Sequence, residues 1–448
     1  MNFPRVLIFG QPFNNFSGGG ITLSNLFRGW PKNRIAVTFI GHGLVSVTTD
    51  ICDTYYQLGM EEHRWLFPLN LIQRKFESGL KSFNPNHTPL LYNKIQGSVR
   101  YKIINRIFFP FLRWTGIFYI LSGIHLSERF KQWLDVFRPE LIYIQASTRE
   151  TVNFAIELCD YLNIPSVIHV MDDWPSTISS RGILKDYWSR RINAEFKLLL
   201  DKISLHLSIS EAMSREYKER YNKDFRHFHN PIDVSRWLPA TKKDFSIDIQ
   251  NVTVLYSGRI GKELGIGDSL LDVAEAIDSM NSDTIRIRFH IQTPTRDRTY
   301  LDRLLRYKCV VENQFAAYEK IPEIFSQADI LLLAYDFDKK SCDYLKLSMP
   351  TKASEYMISG TPVLVYCPEE TAVASFFLSE ECGYCVTKRN KIDLIQALDI
   401  LTKDIDYRKR ISQKAVNLAL KEFESENVRN KFQNLLCKLT EKTETIQM

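Results

Sequence analysis

The stretch with the most chemistry in the smallest space runs from Ser348 to Val365. Pro350 suits a helix start, Gly360 a left-handed stop, and Thr361-Pro362-Val363-Leu364-Val365 a buried strand. On the helix expected over 352–359, Ala353, Tyr356 and Met357 form an apolar face. Lys352, Glu355 and Ser359 share the opposite face at i, i+3 and i+7. An acid and a base beside a helix N-terminus, with Thr351 at its head, can hold ribose hydroxyls and phosphate oxygens. The alternative is a solvated Lys–Glu pair, worth about a few tenths of a kcal/mol.

Three further stretches join a strand end to polar or flexible residues. Tyr256-Ser257-Gly258-Arg259-Ile260-Gly261-Lys262, continued by Gly265 and Gly267, ends a strand in glycines and cations ahead of a helix. Arg259 and Lys262 there can neutralise a diphosphate leaving group, or stand as ordinary solvated loop cations. After the first strand, Gly18-Gly19-Gly20 brings bare N–H groups and a helix start together, an arrangement that favours phosphate. It has neither the Gly-x-Gly-x-x-Gly spacing of a dinucleotide site nor the Gly-Lys-Ser/Thr of a P-loop. Finally, His169-Val170-Met171-Asp172-Asp173 closes another strand. His169, Asp172 and Asp173 can orient a hydroxyl or a developing charge, or an aspartate can cap the following helix.

These groups need a scaffold, and the apolar pattern supplies one. Short β-rich runs fall at Val6–Gly10, Ile35–Gly41, Leu141–Ala146, Ser166–Met171 and Leu205–Ser210. In the second half they fall at Val252–Ser257, Ile285–Gln292, Ile330–Tyr335 and Pro362–Tyr366, with helical patterns between them. Such alternation implies parallel sheets covered on both faces. At 448 residues the chain exceeds one core, and Asn230-Pro231 marks a hinge. The expected division is 1–235 with a returning helix 425–448, and 236–424.

Composition narrows the partners. With 44% hydrophobic and 25% charged residues the chain is globular, and its net charge of +6 is too small to argue for nucleic acid. The charge is local, however: residues 71–114 carry eight Lys or Arg against one acid, Glu77. They lead into the aromatic run Ile107–Ile124, which contains Pro110, Arg113, Gly116 and Gly123. This run reads as a core helix, as a segment lying on an anionic membrane through residues 71–124, or as a membrane span. The eight cysteines are scattered, and Cys382 with Cys385 lacks a second pair, so neither a metal nor a disulfide framework is expected. Reduced thiols and a first strand in place of a secretion signal suit a cytoplasmic protein.

Taken in order, these segments resemble the retaining glycosyltransferases of family 4 (group 1), which have the GT-B fold. The resemblance is carried by 208–221, His229-Asn230-Pro231-Ile232-Asp233, Gly258-Arg259-Ile260-Gly261, 328–333 and the stretch around Glu355. It implies two Rossmann-like parallel-sheet domains facing a cleft, with a C-terminal helix crossing back to the first. It also implies a nucleotide-sugar donor on the second domain, a glycan, lipid-linked or other hydroxyl acceptor on the first, and neither cofactor nor metal. By the same resemblance Glu355 holds the donor ribose, and Arg259 lies near its diphosphate. Gly19 and Gly20 close over that diphosphate, and His169 or Asp172 lies on the acceptor side. Leu347 and Leu264 stand where many members carry a glutamate and a lysine, with Lys262 out of register. Two alternatives remain at this point, a nucleotide-sugar epimerase of the same architecture and a catalytically silent binding subunit.

Overall fold

The computed structural model describes residues 2–14, 17–40, 47–72, 76–81, 103–178, 182–294 and 298–447. The chain divides into two compact units, Met1–Phe228 with Arg429–Met448, and His229–Val428.

The first unit is built on strands β1 (Val6–Phe9), β2 (Ile35–Ile40), β3 (Thr54–Leu58), β4 (Gly79–Lys81), β5 (Leu141–Ile144), β6 (Ser166–Val170), β7 (Leu205–Ser208) and β8 (Phe225–His227). Their order is β4-β3-β2-β1-β5-β6-β7-β8, parallel except for the antiparallel edge strand β4. β1 and β5 are buried along their whole length, which is why both read as unbroken apolar runs. The returning helix Ser425–Gln447 solves a local problem. The helix Gly18–Phe27 ends with carbonyls that have no partner of their own. Gln433 donates to Leu26 O and Arg28 O, both at 3.1 Å, and Arg429 to Asn25 O. Between them Phe432 is fully buried against Phe27 and Tyr143.

The aromatic run is neither a continuous helix nor a purely buried one. A π-helical turn, Ile104–Phe108, leads into the helix Phe109–Thr115, which stops at Gly116 in the left-handed region (φ 77) before a single turn, Phe118–Leu121. Leu112 and Tyr119 are buried, while Ile107 (65% exposed), Phe111 (55%) and Trp114 (51%) point outward, joined by Ile103 and Ile120. Among the described residues no helix is long and apolar enough to cross a membrane. Lys81, Arg106 and Arg113 of the basic stretch are described; Arg74, Lys75, Lys94, Arg100 and Lys102 lie outside the described residues.

The second unit has six strands, β9 (Val252–Ser257), β10 (Ile287–Gln292), β11 (Val310–Asn313), β12 (Ile330–Ala334), β13 (Val363–Tyr366) and β14 (Tyr384–Val386). Their order is β11-β10-β9-β12-β13-β14 and every pairing is parallel. The strand order reverses between β9 and β12, so their carboxyl ends flank the crevice where open α/β sheets take ligands. One carboxylate organises that edge. Buried Asp336, two residues beyond β12, accepts from the backbone N–H of Gly267 (3.0 Å) and Ser269 (2.8 Å) through the same oxygen. Its own N–H donates to Gly265 O. It thereby caps the helix Asp268–Met280 and pins the glycine loop that follows β9. Asp336→Ala leaves two buried donors unpaired and is expected to cost about 1–3 kcal/mol, read as a lowered melting temperature.

Candidate functional site

The polar side chains of the second unit converge where β9 ends. The helix Thr351–Ile358 docks there because the Tyr356 hydroxyl accepts from Ser257 N (3.2 Å) while its ring is buried against Phe325. Lys352, one turn before Tyr356 on the same side of the helix, and the neighbouring Glu355 are thereby carried to the strand end. Thr351 opens the helix.

Glu355 is buried, and its Oε1 accepts from the Tyr318 hydroxyl at 3.1 Å. Tyr318 is itself held from above: the Arg236 guanidinium lies 4.1 Å from its ring centroid and also donates to its carbonyl oxygen. Burial pushes the Glu355 carboxyl up to about 7, against the opposing pull of Tyr318, Arg236 and Lys352. Lys352 is half-buried, and its ammonium sits 4.2 Å from the centroid of the Tyr256 ring. Burial brings it down to about 7; Glu355 opposes that fall and Arg259 adds to it. An acid and a base near neutrality, both moved chiefly by desolvation, are the kind of groups that cluster at functional sites.

The loop after β9 completes the cluster. Tyr256 donates from its hydroxyl to Arg259 O (2.7 Å), which curls the backbone so that Gly258 takes a φ of 152, a region that side chains disfavour. Arg259 and Lys262 are exposed, the latter on the short turn Lys262–Leu264. Leu347, at the position where the resemblance leads one to expect glutamate, is buried. Gly258, Arg259, Lys352 and Glu355 are thus brought together. Tyr318, Arg236 and Asp336 join them without having been picked out from the sequence.

The candidates of the first unit behave differently. Gly18, Gly19 and Gly20 form not a loop but the first turn of the helix Gly18–Phe27. Ser17 caps it by accepting from Gly20 N (3.1 Å), and Gly20 is bare because a Cβ there would stand 2.2 Å from the Asn14 side chain. His169 is 1% exposed on β6, with Nδ1 2.5 Å from the Tyr143 hydroxyl, and burial drives its pKa down to about 3. Asp173 is also buried; it accepts from Tyr217 (2.9 Å) and from both terminal nitrogens of Arg220 (2.8 and 3.2 Å). It occupies the cap position of the short helix Trp174–Thr177, yet its side chain makes no cap bond. Two of the three expected acceptor-side groups are therefore committed inside the unit: His169 as an enclosed neutral imidazole, and Asp173 as half of a buried ion pair. Asp172 is exposed.

Among the described residues no group of three or more His, Cys, Asp or Glu side chains converges on a metal-sized site. Cys382 and Cys385 are free thiols, and burial pushes that of Cys382 up to about 12.

Comparison of sequences with family models and with curated proteins gives no match. Comparison of structures does. HepE from Anabaena, solved with UDP and glucose, is 13% identical, covers 97% of this chain and 99% of its own, and has a TM-score of 0.58. Sucrose-phosphate synthase from Thermosynechococcus elongatus is 12% identical over 97% of this chain and 98% of its own, with a TM-score of 0.59. WaaG, a glycosyltransferase involved in lipopolysaccharide biosynthesis, is 12% identical over 96% of this chain and 99% of its own (TM-score 0.56). At these identities the likeness speaks to architecture: the chain has the GT-B fold, with two Rossmann-like units.

Two outcomes check the first-unit assignments. The ring protons of His169 are expected not to titrate by NMR between about pH 5 and 8, the range in which an ordinary imidazole changes charge. Asp173→Ala removes the acceptor of the buried Tyr217 hydroxyl and one of the two carboxylates on Arg220, and is expected to destabilise the protein by about 1–3 kcal/mol in chemical denaturation.

Proposed function

We propose that this protein is a glycosyltransferase that moves a sugar from a nucleotide-sugar to a hydroxyl acceptor. The observation that carries the reading is the pair Lys352 and Glu355, a base held over Tyr256 and a buried acid bonded to Tyr318, at the carboxyl end of β9. Glu355 offers a carboxylate oxygen to ribose hydroxyls. Arg259, Lys262 and loop N–H groups face the developing charge of the diphosphate. The acceptor oxygen bonds to the anomeric carbon on the face the diphosphate leaves, and a diphosphate oxygen takes the acceptor's proton. The protein's part is positioning and charge stabilisation, without metal assistance. That HepE has been solved with UDP-glucose supports the donor class. A product with inverted anomeric configuration would refute retention.

The acceptor reading draws on the first unit. The outward stripe Ile103, Ile107, Phe111 and Trp114, flanked by Arg106 and Arg113, fits an anionic bilayer surface, where each cation contributes about 1 kcal/mol. We read the acceptor as a lipid-linked or growing surface glycan met at the cytoplasmic face of a membrane. WaaG, which acts in lipopolysaccharide biosynthesis, supports that setting.

Thermal shifts with UDP-, GDP- and ADP-sugars test the donor. One of them, at 100 times its Kd, is expected to stabilise the fold by about 2.7 kcal/mol. Glu355→Gln is expected to weaken that donor by about tenfold. Silence across all three would favour a binding subunit without turnover, and an isomerised donor in the absence of acceptor would favour an epimerase. Flotation tests the membrane: vesicles containing phosphatidylglycerol are expected to carry the protein up, and Phe111→Ser with Trp114→Ser to leave it behind.

A further inference from the structure

Two of the three cations around the β9 end, Arg259 and Lys262, are exposed, so a ligand there must order long side chains at an entropic cost. The third is already placed. Lys352 stands half-buried in the first turn of a helix fixed by Tyr356. Its ammonium faces the ring of Tyr256, and among the described residues no carboxylate lies within ion-pair distance of it. Lys352 also reaches the bare backbone of Gly258. A Cβ on Gly258 would stand 3.1 Å from Lys352 Nζ and 3.3 Å from the Tyr256 hydroxyl, so any side chain there would crowd the ammonium. Leu264, where a loop lysine is expected by resemblance, brings no charge, and its methyl lies against Gly261.

We propose, resting on the nucleotide-sugar reading above, that Lys352 is the fixed cation of the donor site, reaching past Gly258 to the diphosphate and taking the place of a lysine in the loop after Arg259. To the exposed loop cations Arg259 and Lys262 the helix adds one whose position is already set. An ammonium held beside an aromatic face, with no carboxylate bonded to it, can meet an anion. Tyr256 orients it without competing for its protons. The groups that act on it are few: Glu355 on its own helix, Arg259 on the loop and Tyr256 on the strand.

This assignment has a consequence that a purely structural lysine would lack. With burial holding Lys352 at about 7, much of the free protein carries it neutral above that pH. A bound diphosphate stabilises the charged form, so its pKa rises on binding. The contribution to affinity is then complete below the free value and is lost as pH climbs through the bound one. Glu355 moves the opposite way, because ribose hydroxyls favour its ionised form, and it releases a proton mainly below about 7. At about pH 8 the net proton change therefore reports Lys352.

The experiment is calorimetric titration of the full chain at about pH 8, in buffers of different ionisation enthalpy, with uridine, guanosine and adenosine and with their mono- and diphosphates. For the base that binds, wild type is expected to take up a proton with the diphosphate and none with the nucleoside. Lys352→Met is expected to lose roughly 10- to 100-fold in diphosphate affinity, the worth of one charged hydrogen bond, with nucleoside affinity kept. Lys352→Arg, always charged, is expected to restore diphosphate binding and abolish the uptake. Retained nucleoside binding shows that the variants are folded. If wild type binds a diphosphate and Lys352→Met binds it equally well, the assignment of Lys352 is overturned while the donor reading stands. If wild type binds none of the nucleotides, the donor reading falls and this assignment with it.

Discussion

A parallel strand flanked by parallel neighbours and covered on both faces places most of its polar side chains at its ends. In the second unit every strand pairing is parallel, so polar chemistry is pushed to the edge of the sheet where β9 and β12 finish. At that edge the chain must pass from strand to helix within a few residues. Asp336 makes the passage possible by holding three points of the glycine loop at once, through Gly265, Gly267 and Ser269. Gly258 and Arg259, curled by the Tyr256 hydroxyl, lead into that held loop, and Lys352 approaches it at Gly258.

The cluster is not built for stability. Desolvation raises Glu355 and lowers Lys352, so each is paying for its position in the disfavouring of its charged form. A Lys–Glu pair on a solvated helix face would gain a few tenths of a kcal/mol and shift neither group this far. The exposed-pair alternative that the spacing allowed is thereby removed. What remains is a buried acid bonded to one tyrosine and a base held over another, beside a loop of bare backbone. A ligand with hydroxyls at one end and phosphates at the other supplies what both lack. In the first unit the logic is reversed: Asp173 pairs internally with Arg220, and His169 Nδ1 with the Tyr143 hydroxyl.

Much of the scaffold was legible because buried parallel strands are unbroken apolar runs; Val252–Ser257 has the bounds the pattern suggests. β3 was not, since Thr54-Tyr55-Tyr56-Gln57-Leu58 hides its strand character behind hydroxyls and an amide, and β4 and β8 are only three residues long. In the second unit Lys352, Glu355, Gly258 and Arg259 could be found because helix periodicity and strand-end glycines leave a local trace. Tyr318 and Arg236 left none; their contact joins residues 82 apart, and only the fold brings them together. His169-Val170-Met171-Asp172-Asp173 misled for the reason that successive side chains diverge. Asp172 faces outward while Asp173 turns in to Arg220.

The most direct test of a donor site at the β9 edge is a crystal structure with the nucleoside diphosphate that binds. The expected density places ribose hydroxyls on Glu355 and the diphosphate beside Gly258, with Lys352 Nζ within hydrogen-bonding distance of a phosphate oxygen. A nucleotide bound elsewhere on the chain, or one that leaves Glu355 bonded to Tyr318 and Lys352 untouched over Tyr256, would contradict it.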